Sequence, residues 1–125
     1  MSNRVLISMR KEFEERLIRY ASDIVTLKQY INSSYEGDHL DKQLIRSGTS
    51  VALNFGEVQS AQSKKDFIHK QSIVLKELRE SHINLRIIKL NNLCKNMTLL
   101  LKLVDESDQL IRILTKSIQT TKKNI

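Results

Sequence analysis

The stretch FEERLIRYASDIVTLKQYI, running from Phe13 to Ile31, decides the fold. Its apolar residues Phe13, Leu17, Tyr20, Ile24, Leu27 and Ile31 are separated by four, three, four, three and four positions. An α-helix completes a turn in about 3.6 residues, so this spacing stacks all six on one stripe, the seam of a packed bundle helix. A helix is predicted from about Ser8 to Ile31. Asn32-Ser33-Ser34 and Gly37 supply the break after it, and Asp38 is placed to cap the next helix.

The same pattern recurs three more times. A second helix is predicted from about His39 to Ala61, with Leu40, Leu44, Val51 and Phe55 facing inward. Its middle, Ser47-Gly48-Thr49-Ser50, has poor helix propensity, and a bulky partner or a close helix crossing would explain its tolerance there. Ser63 reads as the cap of a third helix reaching about Leu93, with Asp66 in its first turn and Phe67, Val74, Leu78 and Leu85 buried. Asn91-Asn92 to Asn96 make the last break. A fourth helix to about Thr121 uses Leu100, Val104, Ile111, Leu114 and Ile118, with Ser107 filling the gap in the seam. Four helices with short connections predict an all-α, antiparallel, up-down-up-down four-helix bundle.

Composition agrees. The 125 residues suit one domain spanning 1–125, and 40% hydrophobic with 28% charged residues is ordinary for a globular chain. There is no proline and there are three glycines, too little turn punctuation for a β-rich domain. Val5-Leu6-Ile7 is too short for a signal-peptide core, and no apolar run approaches the roughly 20 residues of a membrane span. No membrane association is expected, and the cytoplasm is the default location.

Searches for chemistry find little. A di-iron bundle needs Glu-x-x-His on two helices, but three residues after Glu80 stands Ile83, and neither His69 nor His82 follows a glutamate at that distance. No phosphate-cradling glycine loop, zinc-binding His-Glu-x-x-His or serine nucleophile elbow is present. A bundle ribonuclease of the HEPN type carries an arginine shortly before its histidine, and His39, His69 and His82 lack one at that spacing. Cys94 is alone and reads as an inert thiol. No catalytic residue, metal or cofactor is expected, and the chain reads as a non-enzyme.

Two features remain for function. On the third helix Ile73, Ile83, Ile87 and Leu90 lie roughly opposite the buried stripe, and Ile18, Ala21 and Val25 repeat this more weakly on the first. A monomeric bundle has no use for two apolar faces, so Ile18, Val25, Ile73, Ile83, Ile87 and Leu90 are candidates for a subunit interface. Charge is the second feature. Residues 1–62 balance eight basic against eight acidic residues, whereas residues 63–125 hold thirteen against six, so the whole net charge of +7 lies there. Either this is a solvated face or it is a surface for phosphate backbone. Its candidate members are Lys64, Lys65, Lys76, Arg79, Arg86, Lys89, Lys95, Lys102, Arg112, Lys116, Lys122 and Lys123.

The stretch from Ile45 to Glu57, IRSGTSVALNFGE, resembles the signature of the bacterial four helix bundle protein family, whose founding members are encoded by intervening sequences within large-subunit ribosomal RNA genes. The resemblance continues through Ser63-Lys64-Lys65-Asp66-Phe67-Ile68 and Lys76-Glu77-Leu78-Arg79-Glu80-Ser81, covering about residues 40–90. One departure stands out: Asn54-Phe55-Gly56-Glu57-Val58 replaces the usual Asn-Ile-Ala-Glu-Gly. The resemblance implies a four-helix protomer assembled as a ring, with a homopentamer favoured. It also relates the chain to the accessory protein of diversity-generating retroelements, which implies RNA or DNA, and a reverse transcriptase or other protein, as partners. Asn54, Glu57, Arg79 and Glu80 are expected to satisfy one another between the second and third helices, as a structural network rather than a ligand site. The leading expectation is a self-associating, nucleic-acid-linked protein. A protein–protein adaptor and an RNA-cleaving bundle are the alternatives.

Overall fold

The computed structural model describes residues 3–124, with side chains from Met9 to Asn124; the side chains of Val5, Leu6 and Ile7 lie outside the described residues. Four helices follow one another: α1 (Asn3–Leu27), α2 (Tyr35–Val58), α3 (Lys64–Leu90) and α4 (Met97–Lys123). They form an antiparallel up-down-up-down bundle without a strand among the described residues. α2 packs on α1 and α3, α3 packs on α4, and α1 meets α4 only lightly, so α1 and α3 stand diagonally.

The stripes read from the sequence build the core. Leu17, Tyr20, Ile24, Leu27, Leu44, Val51, Phe55, Val74, Leu78, Leu85, Leu100, Leu114 and Ile118 are buried together, with Phe13, Ile31, Leu40, Phe67, Val104 and Ile111 packed at its margin. Ala21, expected on the second face of α1, belongs to the core. Phe13 meets Phe55 edge to face at 5.2 Å.

The α1–α2 connection differs from expectation. α1 stops at Leu27, a single 3-10 turn covers Lys28–Tyr30, and Ile31 is extended. There it pairs with the α3–α4 loop: Asn32 N donates to Leu93 O at 2.8 Å and Lys95 N to Tyr30 O at 2.8 Å. α2 then starts at Tyr35, with Ser34 and not Asp38 as its cap, because Ser34 Oγ accepts from Gly37 N at 3.0 Å. Gly37 is no break but part of the first turn. A β-carbon there would lie 2.0 Å from the Asn32 carbonyl oxygen, so only glycine lets the chain fold back so closely. α2 also ends earlier than expected, at Val58 rather than Ala61. At the start of α3, Ser63 does cap the helix, its Oγ accepting from Asp66 N at 3.0 Å. α3 ends at Leu90, before the expected Leu93, and Asn96 caps α4 through Leu99 N at 3.0 Å.

Ser47-Gly48 is where α1 and α2 cross closely. Ser47 and Gly48 are buried, and a β-carbon on Gly48 would meet Ile24 Cδ1 at 2.4 Å. Gly56, on the same helix, has nothing within 4 Å of that position. The two glycines should therefore respond oppositely to alanine. Gly48→Ala is expected to lower stability, since overpacking a fully buried neighbour costs about 1–3 kcal/mol and exceeds the propensity gain. Gly56→Ala should raise it by roughly 0.5–1 kcal/mol. Urea denaturation of both variants checks the pair, and a stabilised Gly48→Ala would contradict the close crossing.

Candidate functional site

The centre of the bundle holds polar side chains. Tyr20 Oη lies 2.7 Å from Ser81 Oγ, whose own hydrogen goes to the Leu78 carbonyl at 2.8 Å, so the tyrosine is the donor. Burial pushes the Tyr20 phenol up to about 12, against the opposing pull of its serine partners. Ser107 gives its hydrogen to the Val104 carbonyl at 2.9 Å and accepts from His82 Nδ1 at 2.6 Å. This serine–histidine pair resembles a nucleophile and base only in its distance. Ser107 is wholly buried, and burial together with the Arg86 charge holds His82 below its usual pKa range, Asp108 opposing. A substrate cannot reach the oxygen, so the contact joins α3 to α4. Among the described residues no three His, Cys, Asp or Glu side chains converge as a metal site. Cys94 is buried, which pushes its thiol up and away from the reactive thiolate.

All twelve candidate cations are exposed. Lys102 pairs with Asp23 at 3.2 Å and Arg112 with Asp108 at 3.1 Å, while Lys64 Nζ donates to the Asn124 carbonyl at 2.6 Å. The other nine make no ion pair among the described residues. They do not form one patch. Lys64 and Lys65 open α3 and Lys122 and Lys123 close α4, which the antiparallel topology places at one end of the bundle. Lys89 and Lys95 lie at the other end, about 40 Å away along a helix rising about 1.5 Å per residue. Lys76, Arg79 and Arg86 lie between, on α3. Arg10, which no motif marked, joins the first end: its guanidinium carbon stands 5.7 Å from the centroid of the Phe67 ring.

The sequence profile of the 23S rRNA-intervening sequence proteins matches residues 12–116. The chain belongs to that family. A crystal structure of a protein of unknown function from the S23 ribosomal protein family of Bacteroides thetaiotaomicron is similar to it, at 26% identity and a TM-score of 0.77, covering 88% of this chain and 97% of that one. No curated protein matches.

An open groove of about 870 Å³ lies between α2 and α3, and Arg46 and Ser47 of the signature stretch are among the residues that line it. Arg46 reaches across it to Glu77 at 3.2 Å and Glu80 at 2.7 Å. Of the four residues expected to form the network between these helices, Glu80 takes part. Arg79 is exposed on the groove, Asn54 is half-buried and Glu57 exposed, and among the described residues no hydrogen bond joins these three side chains to one another or to Glu80. Arg46 has the reach that Asn54 lacks, and its place in the signature was the signal for it. The candidate interface residues Ile18, Val25, Ile73, Ile83, Ile87 and Leu90 are all exposed, Leu90 by 80%. Ile83 and Ile87 line the groove.

Asp41 is a second residue that sequence reasoning missed. It is buried on α2, its Oδ1 has no hydrogen-bond partner, and its Oδ2 is 4.0 Å from Lys28 Nζ. Burial raises its pKa, and Asp38 adds to this while Lys28 opposes it. A carboxyl raised on folding penalises the fold wherever it is ionised, above its folded pKa, and the penalty vanishes below the unfolded value of about 3.9. Asp41→Asn should therefore raise the melting temperature at pH 7, and the gain should shrink as the pH falls towards 4. Thermal melts across that range check it; a gain that grows on acidification would contradict the burial argument.

Proposed function

We propose that this chain is a non-enzymatic, self-associating cytoplasmic protein that engages nucleic acid through the phosphate contacts of its C-terminal half. One observation carries the reading: ten exposed cations of residues 63–125 make no ion pair among the described residues, in a chain whose family is named for ribosomal RNA intervening sequences. Unneutralised surface charge opposes the compact state unless a polyanion meets it. With three tyrosines, three phenylalanines and no tryptophan, base stacking contributes little and recognition rests on backbone. The burial of Ser107, the serine bonded to His82, supports a binding role over a cleaving one.

Self-association is supported by the exposed isoleucines. Those of α1 and of α3 lie on diagonal helices, hence on different sides of the protomer. Two different patches favour head-to-tail contacts, which close into rings, and the family resemblance favours five subunits. Among the described residues no helix is long and apolar enough to cross a membrane. The α2–α3 groove favours a second reading, docking of another protein.

Light scattering should give several times the 14.5 kDa chain mass, and Ile87→Asp should reduce it towards one chain while helicity persists. A clean monomer at micromolar concentration would remove the assembly. Fluorescence anisotropy should show the wild-type protein binding unrelated RNA and DNA sequences alike at low salt, with the RNA recovered intact. Absence of binding there favours the adaptor reading, and shortened RNA would favour the ribonuclease.

A further inference from the structure

The two lysines that open α3 stand at the wrong end of their helix. The first turn of an α-helix carries the positive end of its dipole, where acidic side chains stabilise and basic ones destabilise. Lys64 and Lys65 occupy the first two positions of α3 all the same. The topology then sets them against more positive charge. Lys64 Nζ reaches the Asn124 carbonyl, just past Lys122 and Lys123 in the last turn of α4, and Arg10 lies over the Phe67 ring of α3. Among the described residues no carboxylate forms an ion pair with any of these five cations. Asp66 accepts from Gln62 N at 3.1 Å and pairs with Lys70 at 3.2 Å, and Glu14 accepts from Gln59 Nε2 at 2.9 Å.

Lys122 and Lys123 alone need no explanation, since cations suit a helix C-terminus. Lys64 and Lys65 break the local rule, and bringing both pairs together increases their repulsion. Departures from local stability without local compensation mark functional positions. We infer that this end of the bundle, formed by Arg10, Lys64, Lys65, Lys122 and Lys123, is the site that grips the phosphodiester backbone. The inference rests on the proposed nucleic-acid reading and gives it a place. Lys64 spends one of its three ammonium hydrogens on Asn124 and keeps two for phosphate oxygens. In a ring whose protomers are related by rotation, every copy of this end lies at the same height along the axis, so one strand can cross several of them.

The test compares two double charge reversals in the full chain, Lys65→Glu with Lys122→Glu, and Arg19→Glu with Lys42→Glu. Both change the net charge equally, but the second pair lies away from this end. Anisotropy titrations use one RNA and one DNA oligonucleotide of the same sequence at about 0.1 M salt. The first variant should bind both at least about tenfold more weakly and lose about 1.4 units of salt slope. The second should bind within about twofold of wild type. Lys65→Glu alone should melt no lower than wild type, since a glutamate suits a first helical turn, so its weaker binding cannot come from unfolding. Equal losses in both variants, no loss in the first, or a loss confined to RNA or to DNA would overturn the site while leaving the binding reading intact. A wild-type protein that binds neither oligonucleotide at low salt overturns both.

Discussion

A hydroxyl group enclosed in a hydrocarbon core tolerates few alignments, and this bundle encloses three at its centre, those of Tyr20, Ser81 and Ser107. Tyr20 on α1 reaches the diagonal helix α3 and donates to Ser81, while Ser107 on α4 receives His82 from α3. Shifting any of these helices by one residue would leave a buried donor or acceptor without a partner, at a cost of about 1–3 kcal/mol for each. Apolar seams of leucine and isoleucine pack almost as well in several registers. The polar layer distinguishes among them, and Gln71 repeats the device farther along by exchanging hydrogen bonds with Ser117. Once the register is set, the outward residues are set as well. Ile83 and Ile87 face solvent because Ser81, His82 and Leu85 face the core.

The surface is thus a consequence of the interior. The close crossing at Gly48 draws α1 onto α2, and the paired loops at Ile31 and Cys94 tie the two connections at one end together. Among the described residues no comparable backbone tie joins the other end, where α3 begins and α4 finishes. That end collects the lysines, held by Lys64 on the Asn124 carbonyl and by Arg10 against Phe67. Between α1 and α4 the packing is light and charged pairs span the seam, Arg16 with Glu106 and Lys102 with Asp23. Pairs as open to solvent as Lys102 with Asp23 contribute little, and the register comes mainly from the interior contacts.

Much of this was legible in the residue order, for reasons that differ by element. The seams were readable because helical period alone decides which side chains share a face, and Ser63 because nothing nearby competes to cap α3. The start of α2 was not. Ser34, Gly37 and Asp38 all carry the chemistry of a helix start, and the choice among them depends on Gly37 meeting the Asn32 carbonyl, a contact absent from local propensity. Ser107 read as a gap in a seam, since its partner His82 lies on another helix. Asp41 was passed over because it is charged, although it stands three residues before Leu44 on the same inward stripe. The basic excess was countable from the sequence, and its division between the two ends follows from the expected antiparallel topology, which brings residues 64 and 65 beside 122 and 123.

These points meet in one physical claim, that the charge of the C-terminal half is balanced by phosphate. Its most direct test is the slope of the logarithm of the RNA association constant against the logarithm of salt concentration. Each phosphate contact on a single strand contributes roughly −0.7 to that slope through released counterions. Four to five cations at the end of the bundle predict about −3 for one protomer, and a steeper value where several protomers engage one strand. Binding whose strength stays flat as salt rises would contradict the claim.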